Sequence, residues 1–162
     1  MMIDGAILRT KYPRLVPDPF VFECKPGWLG LLDDFFACVD RVLPATVGFE
    51  LIQVKEKMGG LRIYHGTDGP IPDAVSNEIR EANLRAEARS EHICEDCGKR
   101  GRMSNRGGYY TVVCEEHADA DGRLAIPIEP EGSSRIGGTS GGWRRYDFDK
   151  DAFVPCDPPE GW

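Results

Sequence analysis

Only three histidines, His65, His92 and His117, occur in this chain of 162 residues. Histidine is the side chain best suited to proton transfer near neutral pH, so few places exist for a hydrolytic centre to form. No apolar run approaches the roughly 20 residues that a membrane-spanning helix needs. Nothing near the N-terminus reads as a targeting segment either, which points to a cytoplasmic, reducing setting and to unpaired cysteines. What is present, 41% hydrophobic and 29% charged residues, is the composition of a soluble globular protein. The length suffices for one ordinary core, or for a small core with a metal-stapled lobe. A formal net charge of -7 argues against indiscriminate coating of nucleic acid, though it leaves room for a local basic patch, and fits solubility or a basic protein partner better.

The most informative stretch is Cys94-Glu95-Asp96-Cys97-Gly98, answered by Cys114-Glu115-Glu116-His117. Zinc takes four soft or borderline donors at tetrahedral corners, and two pairs, each separated by two residues, let two tight turns supply two corners apiece. Cys94, Cys97, Cys114 and His117 are therefore expected to hold a structural Zn2+. Gly98 suits a knuckle that curls around the metal, because glycine adopts positive φ freely. Between the pairs, Arg102 to Val113 reads as a β-hairpin turning at Asn105-Arg106-Gly107-Gly108, and Cys114 is expected to open a helical turn. Together these pieces predict a lobe of treble-clef or zinc-ribbon type over residues 92–122. His92 is a rival for the fourth corner. A disulfide between Cys94 and Cys97 would close a strained loop, and a redox pair would leave Cys114 and His117 unexplained. Cys24, Cys38 and Cys156 are expected to be reduced and buried.

The remainder predicts an α+β fold: a small antiparallel sheet with two helices. Over residues 1–27 the prolines Pro13, Pro17, Pro19 and Pro26 imply extended chain, with Phe20 to Cys24 as a short strand. Trp28, Leu31, Leu32, Phe35, Phe36, Val39, Val42 and Leu43 recur at three and four, a helical stripe over 28–43 that Pro44 ends. A hairpin follows over 47–65, turning at Met58-Gly59-Gly60, with Lys55, Glu56, Lys57 and Arg62 forming a solvated tip. A second helix is expected over 73–90, its stripe of small residues lying over the hairpin sheet. These elements make a core over 1–91. Residues 123–162 read as an irregular tail, Gly/Ser-rich over 129–142, whose aromatic residues dock on the body or on a partner.

Three motifs, Gly27-Trp28 before an amphipathic helix, the run Val54 to Arg62 (Val-Lys-Glu-Lys-Met-Gly-Gly-Leu-Arg), and the Cys-x-x-Cys-Gly plus Cys-x-x-His ending, give the chain a resemblance. It resembles a family of small uncharacterised proteins of bacteria and their phages, over roughly residues 10–120. The resemblance implies zinc and a cytoplasmic setting in a prokaryotic host cell.

The function expected first is that of a non-enzymatic binding protein that recognises a protein partner, for example as an inhibitor or immunity factor covering a basic surface. Trp143, Arg144 and Arg145 in the tail are candidate contacts. The alternative is nucleic-acid binding through Lys99, Arg100, Arg102 and Arg106 beside Tyr109 and Tyr110, where phosphate contacts would sit next to stacking rings. Against it, Glu95, Asp96, Glu115 and Glu116 cancel those charges. A metal-dependent hydrolase or nuclease comes third, with His65 as its one candidate base.

Overall fold

A computed structural model describes residues 1–137 and 141–162; positions 138–140 of the expected Gly/Ser-rich linker lie outside the described residues. The fold is mixed α and β, with three helices rather than two. The unexpected one, α1 (Gly5–Lys11), is capped by Asp4, whose carboxylate accepts from the Ala6 amide at 3.0 Å. All four prolines that argue for extended chain lie beyond Lys11, so none obstructs these roughly two turns of helix.

From there the chain enters β1 (Phe22–Glu23), makes a 3₁₀ turn over Pro26–Trp28, and continues as α2 (Leu29–Val42) before β2 (Phe49–Lys57). β1 and β2 pair in parallel, Phe22 opposite Val54. The sheet is thus not purely antiparallel, because a helix connects the two strands and returns the chain to the same end. β2 and β3 (Gly60–Thr67) form the expected hairpin around Met58 and Gly59, both at positive φ, 52° and 84°. An irregularity in register between Leu51 and Gln53 changes which residues face inward. Leu51 and Val54 both reach the core, while Ile52 is left 65% exposed. Trp28, Leu32, Phe35, Phe36 and Val39 pack against Phe22, Val54, Leu61 and Ile63 to make the main core.

The third helix, α3 (Asp73–Ser90), buries Ile79, Ala82 and Ala86 and meets the sheet along the open edge of β3. There its side chains take amides that an edge strand would otherwise leave unpaired: Leu61 N donates to Ser90 Oγ at 2.9 Å and Ile63 N to Glu87 Oε1 at 3.1 Å. Ser90 is fully buried. Ser90→Ala strands the Leu61 amide, and we expect it to lower unfolding free energy by about 1–3 kcal/mol in urea titrations. A change within experimental error would show that Leu61 finds another acceptor.

Beyond α3, the strands β4 (Arg102–Arg106) and β5 (Tyr109–Val113) form a hairpin, and a short ladder joins β6 (Asp119–Ala120) to β7 (Arg123–Leu124). β8 (Ile126–Pro127) adds to the free side of β4, so the lobe's sheet runs β5-β4-β8 and draws in residues expected to belong to the tail.

Nor is the tail irregular. β9 (Arg135–Ile136), β10 (Trp143–Asp147) and β11 (Ala152–Cys156) form their own antiparallel sheet. It rests on α3: Arg144 grips Glu81 through two hydrogen bonds of 2.7 and 3.1 Å, and Arg89 donates to the buried Tyr146 hydroxyl at 3.1 Å. Glycine and serine content misled here because Trp143, Tyr146 and Phe153 supply the strand-forming side chains between the flexible positions. All six cysteines are free; Cys24 is buried as expected, whereas Cys38 and Cys156 are only half-buried. Among the described residues no helix is long and apolar enough to cross a membrane.

Candidate metal centre

Two turns, one before β4 and one after β5, meet at the open end of that hairpin, where Arg102 pairs with Val113, and build the centre. The first follows α3: Cys94 N donates to Lys99 O at 2.7 Å and Gly98 N to Cys94 O at 2.9 Å, closing the knuckle, with Gly98 at φ +80°. The second begins where β5 ends. Cys114 leads into a 3₁₀ turn over Glu115–His117, tightened by His117 N donating to Cys114 O at 3.1 Å. Glu95 N donates to Val112 O at 3.0 Å and so fixes one turn against the strand that delivers the other.

The result brings Cys94, Cys97, Cys114 and His117 together, with one ligand atom from each all within 4.8 Å of one another. Zinc–sulfur bonds of about 2.3 Å at tetrahedral angles put sulfurs about 3.8 Å apart, and a sulfur about 3.5 Å from an imidazole nitrogen. Cys97 and Cys114 Sγ are 3.7 Å apart, and His117 Nδ1 lies 3.7 Å from Cys94 Sγ and 3.3 Å from Cys114 Sγ. These are the edges of such a tetrahedron. They are also far from the roughly 2.05 Å of a disulfide. Three thiols and an imidazole form a donor set that suits a soft or borderline divalent ion, so the residues present fit a metal.

In the metal-free chain the thiols differ. Burial pushes the Cys94 thiol up to about 11, against the pull of nearby backbone amides. Burial also works against ionisation of Cys114, but hydrogen bonding from His117 and the neighbouring sulfurs brings it down to about 7. His92, the rival for the fourth corner, is not in the group. Its Nδ1 faces Glu131 Oε1 at 2.9 Å, and its ring lies against Tyr146 and Phe148.

The centre is locked to the body through Gly27 and Trp28. Gly27 N donates to Glu95 O at 2.7 Å, and the Trp28 indole to Ile93 O at 3.0 Å. A Cβ at Gly27 would lie 2.1 Å from Cys94 O and 2.5 Å from Glu95 O, so only glycine permits this approach. Lys25 adds an ion pair to Asp96 at 3.2 Å. The β2–β3 hairpin tip, expected to be solvated, is covered on one side instead: Gly59 is buried against Met103 and Tyr110 of the lobe. The charges flanking the turn hid this contact, because the tip contributes only glycine backbone to it and the Met103 and Tyr110 side chains supply the rest.

The candidate partner-binding cations are mostly committed within the chain. Lys99 pairs with Glu116 at 2.8 Å and Arg100 with Glu131 at 2.8 Å, while the Arg100 guanidinium also lies 4.1 Å from the Phe148 ring centroid. Arg102 contacts Glu129 at 3.2 Å and the Ile128 carbonyl at 3.0 Å. Arg106 donates to the carbonyls of His117, Ala118 and Arg123 at 2.9 to 3.2 Å, bracing the second turn. In the tail, Arg144 is taken by Glu81, Arg145 stands 3.9 Å from Asp147, and Trp143 meets Trp162 edge-on at 5.1 Å. Glu131, which sequence reasoning missed, is the anchor that ties this region together. Burial works against its charge, but hydrogen bonds from His92 and Arg100 hold its carboxyl below the usual range. Nothing around it in the sequence distinguishes it from the other acids.

His65 sits at the opposite end of β3 from the centre, stacked on Phe49 and 3.4 Å from Asn83 Nδ2. Burial lowers its pKa below the ordinary 6.5, so the folded state resists a proton that the unfolded chain accepts. The stability this neutral ring shares in is complete above about pH 6.5 and is lost as pH falls toward the folded-state value. We expect unfolding free energy to drop as pH falls below 6.5, and His65→Gln to flatten that part of the curve. An unchanged slope in the variant would assign the loss to other groups.

The chain matches no family model, no curated protein and no solved structure with which it was compared.

Proposed function

We propose that this chain is a non-enzymatic binding protein in which structural zinc, held by Cys94, Cys97, Cys114 and His117, staples a treble-clef or ribbon-like lobe to an α+β body. The molecule it recognises is another protein, one that presents a basic surface. The observation that carries the reading is the convergence of four protein donors within 4.8 Å. Four such ligands complete the tetrahedron of a structural site, whereas catalytic zinc keeps a position for water or substrate. Bound there, the ion supplies a cross-link between two turns.

The net charge of -7 favours a basic partner. The pairing of Lys99, Arg100, Arg102 and Arg106 with carboxylates and carbonyls of the chain itself favours protein over nucleic acid, since their charge is already balanced before a phosphate arrives. The test is affinity capture from a prokaryotic lysate at moderate salt, with the zinc-loaded full chain as bait. A basic protein that elutes as salt is raised is the expected result; recovery of no protein contradicts it. Electrophoretic mobility of DNA and RNA at low salt should be unaffected by the protein, and a salt-dependent shift would move the function to the nucleic-acid class.

A further inference from the structure

The lobe's sheet has two faces with different fates. Met103 pairs with Val112 and Asn105 with Tyr110, which sets these four on one side, and Met103 and Tyr110 meet the body at Gly59. Arg102, Ser104 and Val113 lie on the other side, where an open groove of about 880 Å³ runs between the second metal-binding turn and β7–β8. Buried Ser104, Val113 and Ala125 line it, and so do Leu124 and Ile126, each 56% exposed. Large aliphatic side chains on an open concave surface mark a place where apolar area is buried on binding.

Charge gives the groove a direction. Lys99 is paired with Glu116, Arg100 with Glu131, and Arg102 with Glu131 and with Glu129, which lies outside the groove's lining. Glu115 also lines the groove, and among the described residues it has no ion pair. It adjoins Cys114, and three thiolates around a divalent ion leave one further negative charge on that side. The groove therefore offers an aliphatic floor and one uncompensated acidic end. Strand addition along β8 is obstructed, because Pro127 has no amide hydrogen to donate to a new neighbour.

We propose that this groove is where the partner is recognised. It takes a short segment of the partner protein whose Leu, Ile or Val side chains cover Leu124 and Ile126 and whose Lys or Arg side chain meets Glu115. The segment is held by side chains rather than by a backbone ladder. This rests on the binding-protein reading above.

The probe is a library of random peptides displayed on phage, selected against the zinc-loaded full chain, with the enriched peptides then synthesised and their Kd measured. Enriched sequences should combine aliphatic residues with a lysine or arginine. Leu124→Asp, a change at an exposed position whose folding is checked by zinc content, should weaken them about tenfold or more. Glu115→Lys should reverse the charge preference, so that acidic peptides bind that variant better than basic ones. No enrichment, or enriched peptides indifferent to both substitutions, overturns the proposal. If the lysate partner is captured equally by Leu124→Asp, the groove is wrong and the binding-protein reading stands; if the wild-type chain captures no protein, that reading falls and the groove proposal with it.

Discussion

Replacing Cys94 with serine is expected to cost the protein its metal and the fold of residues 92–127 together. The lobe has almost no core of its own: its buried apolar cluster is Cys94, Val113 and Ala125, with Cys114 and Ala118 partly buried against it. So little apolar surface cannot offset the entropy of ordering the segment. Structural zinc in small fingers contributes an apparent 10 to 16 kcal/mol, about the whole stability of an ordinary domain, so an ion bound by these four residues would outweigh every other interaction that holds the lobe folded. Metal analysis should fall from one zinc per wild-type chain to almost none in Cys94→Ser. Amide exchange over residues 92–127 should speed up to unfolded rates while α2 stays protected. Cys38→Ser, outside the centre, should keep its zinc. A zinc-free Cys94→Ser chain with a protected lobe would show that the lobe stands without the ion.

Gly27→Ala should be nearly as damaging, although it removes no contact. The added methyl would sit 2.1 Å from Cys94 O and 2.6 Å from the Glu95 carbonyl carbon, both backbone atoms. Relief therefore requires the knuckle to back away from the body, which weakens the Gly27–Glu95 hydrogen bond of 2.7 Å and the Trp28–Ile93 bond of 3.0 Å. We expect a loss of about 3 kcal/mol or more, at the upper end of overpacking penalties. For a protein of this size that lowers the Tm by about 6–12 °C. Gly30 is the control. Nothing lies within 4 Å of a Cβ built there, and it falls inside α2, so Gly30→Ala should be neutral or gain up to about 1 kcal/mol. Equal Tm values for the two variants would show that the close approach at Gly27 does not hold the knuckle to the body.

What was legible in the sequence was what repeats locally. The apolar stripe of α2 and the paired Cys and Cys-His spacings each lie within sixteen residues or fewer, and backbone geometry converts such spacing directly into a shared face or a shared corner. The β2–β3 hairpin was legible for the same reason, its Met58-Gly59 turn being set by local dihedral preference.

What escaped depends on residues distant in sequence. Whether β1 runs parallel to β2 is decided by the helix between them, and whether the hairpin tip is covered is decided by Met103, more than forty positions on. α1 was missed for a local reason: proline density was averaged over 1–27, although Asp4 offers a cap and the first proline comes only at position 13. The tail strands were hidden by glycine and serine around them, and Glu131 by the ordinariness of one more acid in an acidic chain. For the centre itself, spacing could propose four ligands and leave His92 as a rival; only the turn that aims His117 Nδ1 at the sulfurs, while Glu131 and two aromatic rings hold His92 elsewhere, separates them.

The claim beneath all of this is that one zinc ion has four protein ligands and no solvent position. X-ray absorption at the zinc K-edge of the purified full chain tests it most directly. The account predicts a four-coordinate shell of three sulfurs at about 2.3 Å and one imidazole nitrogen at about 2.0–2.1 Å. A shell in which a solvent oxygen replaces one of these donors, or a fully folded chain that binds no zinc, would contradict it.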